Sequence, residues 1–296
     1  MVRRDLHQDN RLSWNAATVA HNSHKQDQAH FFRQGGSTLF PEELELLGDL
    51  RGMSLLHLQC NAGQDTLSLA TLGAETVGVD ISDEAIEFAR RLSADSGVRA
   101  RFERADVYDW LAAAAGKPTR YDIVFSSYGA LIWLSDLGSW AASLSRILKP
   151  GGRLVLVEFH PFAMVFDYDW SRRFPYFGQG QVMTWEEGVG DYVAMSGPAL
   201  APSGYDEGVQ DFNNPHRCHE FAHSIAELLT AVLDAGLAIE SWREYPYSNG
   251  AKLFQDMVEG PGKRMYPPSQ TPNLPLMFGL VARRPNNQAP MPKETP

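Results

Sequence analysis

Two aspartates, Asp80 and Asp106, each follow a short apolar run, and a compact turn, Gln59-Cys60-Asn61-Ala62-Gly63, follows another. A carboxylate at the end of a strand can accept bonds from both hydroxyls of a ribose. A tight turn leading into a helix lets backbone N–H groups approach an anionic ligand group, whose charge the helix N-terminus favours. Gly63 allows the closest approach, Cys60 and Ala62 are small, and Asn61 tolerates left-handed geometry. Asp65 reads as a first-turn residue matched to the helix dipole. For proton transfer the candidates are His160, Tyr128 and Asp167, with His160 first because its unperturbed pKa lies near neutrality. Trp133, Phe162, Trp170, Tyr176 and Trp185 offer aromatic faces suited to a flat, largely apolar molecule, although some of them can equally form a satellite core under a long loop. His216, Cys218, His219 and His223 are metal-type side chains, and the last two are spaced for one helix face. No compact partner set completes four ligands, so no metal is expected.

The elements that must position these residues begin at Ser54. Short apolar runs alternate with helical periodicity, the pattern of a parallel sheet with crossover helices. Strands are predicted at Leu55–Leu58, Thr76–Val79, Ala100–Glu103, Tyr121–Phe125 and Leu154–Val157, with helices starting at Gln64 and after Ser82. Asp136 should cap a helix with Trp140, Leu144, Ile147 and Leu148 buried, stopped by Lys149-Pro150-Gly151-Gly152. Residues 160–222 show no period and read as a lid or binding insertion. A helix then spans Ile225 to Leu233, a sixth strand starts at Leu237, and a seventh, Leu276–Ala282, should lie antiparallel beside it. The fold class is therefore α/β, with a Rossmann-like, seven-stranded, mostly parallel sheet and helices on both faces. Residues 1–50 read as a helical cap with helices near Asn15–Ala29 and Pro41–Leu47, residues 51–284 as the main domain, and 285–296 as a mobile tail.

Composition narrows the partners. Net charge is -10, from 26 basic and 36 acidic residues. A polyphosphate-binding protein normally carries a basic footprint, so nucleic acid is not the expected partner. With only Cys60 and Cys218 a disulfide framework is excluded, and a cytoplasmic setting follows. No apolar run approaches the roughly 20 residues a membrane helix needs, and the N-terminus lacks a signal-peptide core. A monomer or homodimer acting on a small molecule is expected.

In order, Gly63, Asp80, Asp106, Tyr121-Asp122-Ile123-Val124 and Leu148-Lys149-Pro150-Gly151-Gly152 resemble the motif series of class I S-adenosylmethionine-dependent methyltransferases. The chain departs from that pattern where His57 stands for the usual acid and Gly63 alone fits the spaced glycines. Further marks, Leu56-His57-Leu58-Gln59-Cys60, Gly63-Gln64-Asp65-Thr66-Leu67, Asp106-Val107-Tyr108, Glu158-Phe159-His160-Pro161-Phe162, Tyr176-Phe177 and Tyr245-Pro246-Tyr247-Ser248, resemble a bacterial small-molecule branch. The resemblance implies S-adenosylmethionine as cofactor. It places Gln59, Cys60, Asn61 and Gly63 at the methionine end, Asp80 at the ribose, and Ile81, Asp106 and Val107 at the adenine, with Ser126 reaching the amino group through its carbonyl. The implied activity is methyl transfer to nitrogen, oxygen or carbon of a small aromatic or heterocyclic molecule, for example an indole-type specialised metabolite. A catalytically silent cofactor-binding regulator or scaffold is the alternative. The turn lacks the G-x-G-x-x-G of nicotinamide dehydrogenases, and Ser126-Ser127-Tyr128-Gly129 replaces the Asn/Asp-Pro-Pro-aromatic motif of nucleic-acid amino-methyltransferases.

Overall fold

The structure is a computed structural model describing residues 1–271 and 273–286. The chain opens with three helices, α1 (Arg4–Ser23), α2 (Gln28–Arg33) and α3 (Pro41–Leu47). It then alternates β1 (Ser54–Leu58), α4 (Gln64–Thr71), β2 (Glu75–Asp80), α5 (Asp83–Ser96), β3 (Arg101–Arg104), α6 (Val107–Ala115), β4 (Tyr121–Ser127), α7 (Leu137–Ile147) and β5 (Leu148–Phe159). An insertion holds β6 (Val182–Trp185), α8 (Tyr192–Ser196) and β7 (Cys218–Phe221). The remainder is α9 (Ile225–Asp234), β8 (Ala238–Tyr245), β9 (Ser248–Asn249), β10 (Val258–Glu259), β11 (Arg264–Tyr266) and β12 (Met277–Arg283).

The main sheet has seven strands in the order β3-β2-β1-β4-β5-β12-β8. Its first five strands pair parallel, and β12 runs antiparallel to both neighbours. Side chains alternate across the strands, so one face carries Leu56, Leu58, Val124, Leu154, Leu156 and Leu280, packed against Trp140, Leu144 and Ile147 of α7 and Leu228 and Val232 of α9. The opposite face carries Leu55, Ile123, Phe125, Val155, Val157 and Val281 beneath Leu46 and Leu47 of α3. Strand order reverses between β1 and β4, and a crevice opens at such a reversal beyond the carboxyl ends of the strands.

Local chemistry explains the element ends. Gly63 caps α4 in the left-handed region at φ 81°. A Cβ there would lie 2.6 Å from that of Ala89, so conformation and space both demand glycine. The Ser82 hydroxyl accepts from Ala85 N, and Asp136 accepts from Ser139 N, capping α5 and α7.

Four expectations change. Helix α7 ends at Ile147, and Leu148 already pairs with Tyr121, so Lys149-Pro150-Gly151-Gly152 forms an irregular start of β5 rather than a helix exit. The first helix is Arg4–Ser23 rather than Asn15–Ala29. It stops where Lys25 forms an antiparallel bridge with Tyr205, and a separate helix follows once Asp27 caps His30 N. The insertion is not without strand structure, because β6 and β7 pair antiparallel. His219 therefore lies in a strand and His223 beyond its end, which removes the shared helix face. The expected mobile tail lies outside the described residues from 287 onward.

The N-terminal helices and the insertion form one wall. Asn10 of α1 exchanges two hydrogen bonds with the His219 backbone, at 2.6 and 2.9 Å. The Ser13 hydroxyl accepts from Val189 N at 2.9 Å, and Asn214 donates to the Ser13 carbonyl at 2.9 Å. Among the described residues, no helix is long and apolar enough to cross a membrane.

Candidate functional site

A cavity of about 910 Å³ lies over the β1, β2 and β4 ends, closed by α1, the segment before α3 and the insertion. On its sheet side the turn after β1 winds tightly, with Gln59 at φ 53° and Asn61 at φ 47°, both left-handed. Asp80 holds that turn in place, accepting from Asn61 N and Ser82 N, each at 2.8 Å. Burial pushes its carboxyl above the usual range, and the backbone donors counter part of that rise. Gln59 donates to the Ala130 carbonyl at 2.8 Å, which leaves its buried Oε1 on the cavity wall without a hydrogen bond. Asp106 caps α6 through Oδ1, and its Oδ2 is bonded to His7 Nδ1 from α1. Burial raises the Asp106 carboxyl, but the hydrogen bonds from His7 and from the backbone N–H groups of Tyr108 and Asp109 leave it below its ordinary value.

The wall that α1 and the insertion lay over the sheet side is aromatic. Trp14 packs edge-on to Trp133 at 5.4 Å and edge-on to His21 at 6.1 Å, and Tyr192 lies 4.1 Å from His21 and reaches the Asn61 side chain of the turn. Trp185 also lines the cavity and donates to Glu220 at 2.9 Å. His21 Nε2 lies 3.0 Å from the Gly190 carbonyl, so that nitrogen carries the hydrogen and Nδ1 is a buried lone pair without a partner. Burial pushes this imidazole down to about 4, so it is neutral near pH 7. Lys25 lines the cavity with no salt bridge among the described residues, and burial lowers its ammonium to about 8.

The loop after β4 is set by Glu158, a fully buried carboxylate on β5. It accepts from the backbone N–H groups of Gly129, Ala130 (2.7 Å), Leu131 (3.0 Å) and Phe159 (2.7 Å). The loop in turn carries Tyr128, at a left-handed φ of 42°, and Trp133. Asn249 donates to the Tyr128 hydroxyl at 2.9 Å, and burial, then the nearby Glu43 carboxylate, push the phenol well above its ordinary value.

Of the residues singled out from sequence, Gln59, Cys60, Asn61, Asp80, Ile81, Asp106, Val107, Tyr128, Trp133 and Trp185 all line this one cavity. Gly63 sits behind it, supporting the turn against Ala89 and Phe102. Ser126 is buried away from it with its hydroxyl toward the Leu58 carbonyl, and Ser127 takes the wall position. His160, expected first for proton transfer, lies apart from these residues. Its Nε2 meets Glu244 at 3.0 Å, its Nδ1 accepts from Phe162 N at 3.1 Å, and its ring stands edge-on to Phe278, outside the cavity. Asp167 also falls outside, paired with Arg173 at the surface. Phe162 is exposed, and Trp170 stacks on Phe254 at 3.6 Å in a separate cluster. Tyr176 accepts from Ile225 N at 3.2 Å and lines a smaller cavity of about 100 Å³. In the histidine cluster, His219 is held by Asp9 and Thr184, and His223 by the Leu134 carbonyl. No group of three or more metal-type side chains that could hold an ion occurs among the described residues. Sequence reading missed His7, Asn10, Trp14, His21 and Lys25, all from the N-terminal segment. Their signal was a polar and aromatic stripe at helical spacing, invisible to a search for apolar periodicity.

Residues 55–152 match the family model of a methyltransferase domain. The ubiquinone biosynthesis O-methyltransferase of Bordetella avium (strain 197N) is 30% identical over 108 residues, which is 36% of this chain and 43% of that protein. That of Xanthomonas euvesicatoria pv. vesicatoria (strain 85-10) is 31% identical over 121 residues, 40% of this chain and 49% of its own. The chain thus spans less than half the length of these curated relatives. An S-adenosylmethionine-dependent methyltransferase from Mesorhizobium loti shares the fold at a TM-score of 0.54 and 20% identity, covering 82% of this chain and 96% of that one. A similar structure from Listeria monocytogenes has a TM-score of 0.51 at 20% identity, covering 82% and 95%. Residues 55–152 are thus similar to a methyltransferase domain, and the chain shares the fold of S-adenosylmethionine-dependent methyltransferases.

Proposed function

We propose that the protein binds S-adenosylmethionine along the sheet side of the cavity and transfers its methyl group to a small aromatic or heterocyclic molecule held against the aromatic wall. The observation that carries this reading is one cavity with two chemically different linings. The sheet supplies strand-end carboxylates, a left-handed turn and a buried unpaired acceptor, and over them stand the aromatic rings of Trp14, Trp133, Trp185 and Tyr192. A volume of about 910 Å³ suits a cofactor and a modest acceptor together.

The residues present fit the cofactor. Gln59 Oε1 is a buried acceptor awaiting a donor such as the methionine ammonium. The turn before α4 and the unpaired Lys25 ammonium suit its carboxylate. Asp80 keeps lone pairs for two ribose hydroxyls while holding Asn61 and Ser82. When bound, S-adenosylmethionine supplies an electrophilic methyl group on a sulfonium with a neutral leaving group. The protein's own contribution is to align the acceptor and exclude water, effects worth roughly 7–11 kcal/mol of barrier. The Glu158-held loop fixes Tyr128 and Trp133 for that purpose. With His160 and Asp167 outside the cavity, His21 Nδ1 is an unpartnered nitrogen able to accept a hydrogen bond from an acceptor's N–H or O–H and so orient it, its lowered pKa keeping it from taking the proton outright.

Calorimetric titration with S-adenosylmethionine and, separately, NAD tests the cofactor half. Binding of the sulfonium alone is expected. Aromatic and aliphatic acceptors are then screened by mass spectrometry for the gain of one methylene. Turnover confined to aliphatic or macromolecular acceptors sinks the acceptor half, and binding without any turnover leaves a regulator or scaffold.

A further inference from the structure

We propose that His7 of the N-terminal helix reads the six-position of the adenine ring, so that base selectivity resides in the cap rather than in the sheet domain alone. The inference rests on the cofactor reading above and goes beyond it by assigning a role to a residue outside the matched domain, residues 55–152.

Three observations converge. His7 is only 7% exposed and lines the cavity beside Asp106 and Val107. Its Nδ1 is bonded to Asp106 Oδ2, and a carboxylate only accepts, so Nδ1 carries the hydrogen. Its Nε2 is buried without a hydrogen-bond partner. In the neutral ring that atom is a lone-pair acceptor. The ring cannot turn to use it elsewhere, because it also stacks on Tyr108 at 5.7 Å with planes 13° apart. Asp106 meanwhile spends Oδ1 on the backbone N–H groups of Tyr108 and Asp109 and Oδ2 on His7. Without a ligand, the Nε2 lone pair is a buried acceptor left unmade, which costs free energy. An exocyclic amino group satisfies it, whereas a carbonyl oxygen at the same place meets it lone pair to lone pair.

The test compares S-adenosylhomocysteine with S-inosylhomocysteine, which differs by a six-oxo group, in calorimetric titrations of the full chain. The wild-type protein should favour the adenosyl form on the order of 10- to 100-fold, the consequence of one unmade buried hydrogen bond. In H7F, which keeps a ring against Tyr108, the preference should collapse to within about threefold, mainly through weaker binding of the adenosyl form. A wild-type protein that binds both forms equally overturns the proposal whatever the variant does. So does H7F if it keeps the preference, with affinity unchanged or both ligands weakened alike. If the wild-type protein binds neither, the cofactor reading falls and this inference with it, which separates the two failures.

Discussion

The two walls of the cavity are built differently. On the sheet wall, side chains are fixed by short-range backbone bonds: Asp80 accepts from Asn61 and Ser82, and Glu158 behind the wall accepts four N–H groups that set the loop after β4. Behind them lies a dry core in which Leu55, Leu56, Val124 and Val155 are fully buried. The facing wall has little apolar core of its own. Helix α1 buries His7, Asn10, Ser13, Thr18 and His21, and long-range polar bonds to the insertion hold it in place. Burying polar groups costs free energy unless they are paired, so this wall depends on the bonds of Asn10, Ser13 and Asn214 more than on area, and His7 Nε2 and His21 Nδ1 are left for a ligand. The difference assigns the parts. A frame set by packing suits an invariant ligand, and a wall set by specific polar and aromatic contacts suits discrimination.

If that division holds, the largest effect comes from the sheet wall. Asp80→Ala removes an acceptor that would take two ribose hydroxyls, each bond to a charged group being worth about 1.5–3 kcal/mol. Affinity for S-adenosylhomocysteine should fall roughly 100-fold or more in titration calorimetry. Unchanged affinity would mean that the ribose lies elsewhere. Next comes Trp133→Ala, at the contact between the loop after β4 and Trp14 of the facing wall, which should reduce kcat/KM for the acceptor by about 10- to 100-fold through lost apolar contact. Cofactor affinity should stay within about threefold. Equal losses of both would erase the distinction between the walls.

The same contrast governs what could be read from sequence. Strands β1 to β5 showed themselves because buried parallel strands are apolar runs and their ends carry cap and turn residues. Asp80 and Asp106 were legible for that reason. In the cap, the helix Pro41–Leu47 was legible from its N1 proline, whereas the buried face of α1 was not, because it is His7, Asn10, Ser13, Ala17 and His21, a helical period written in polar residues. His160 was misplaced through strand parity. Phe159 lines the cavity, and the next side chain along an extended chain points the other way, toward Glu244 and Phe278. Trp170, Phe162 and Tyr176 had the right composition for a pocket, but composition does not say which aromatics share a cavity and which, like Trp170 on Phe254, satisfy one another.

A third prediction concerns how the sheet wall tolerates charge. His57, at the site where relatives of this fold carry an acid by resemblance, is buried on β1 with Nδ1 at 2.9 Å from Thr66 Oγ1. Burial depresses its imidazole from 6.5 to about 3. The folded state therefore refuses a proton that the unfolded chain accepts below about pH 6.5. For a group with a lowered folded pKa, stability is full above the unfolded value and declines as pH falls toward the folded one. Between pH 6.5 and 5 the loss should be about 2 kcal/mol, at 1.36 kcal/mol per pH unit. Denaturant midpoints measured across that window should fall in the wild type, and His57→Gln should flatten the slope. An identical slope in the variant would assign the acid sensitivity to His21 and His223, which burial also depresses.

The smallest effect is expected where sequence first pointed to catalysis. His160 has both nitrogens committed, to Glu244 and to the Phe162 backbone, and its ring does not reach the cavity. Burial lowers its imidazole, and Glu244 partly restores it. Its role is to tie the end of β5 to β8, so His160→Gln should cost stability of about 1 kcal/mol, typical of lost hydrogen bonds. The turnover number should stay within about threefold, with no change in the pH at which kcat falls. His21→Gln should instead lower kcat/KM by about 10-fold for acceptors that carry an N–H or O–H, the weight of one lost buried hydrogen bond, and much less for acceptors that do not. A large kcat loss in the His160 variant with cofactor binding intact would move the reacting centre toward the end of β5, and the aromatic wall would then be a recognition surface alone.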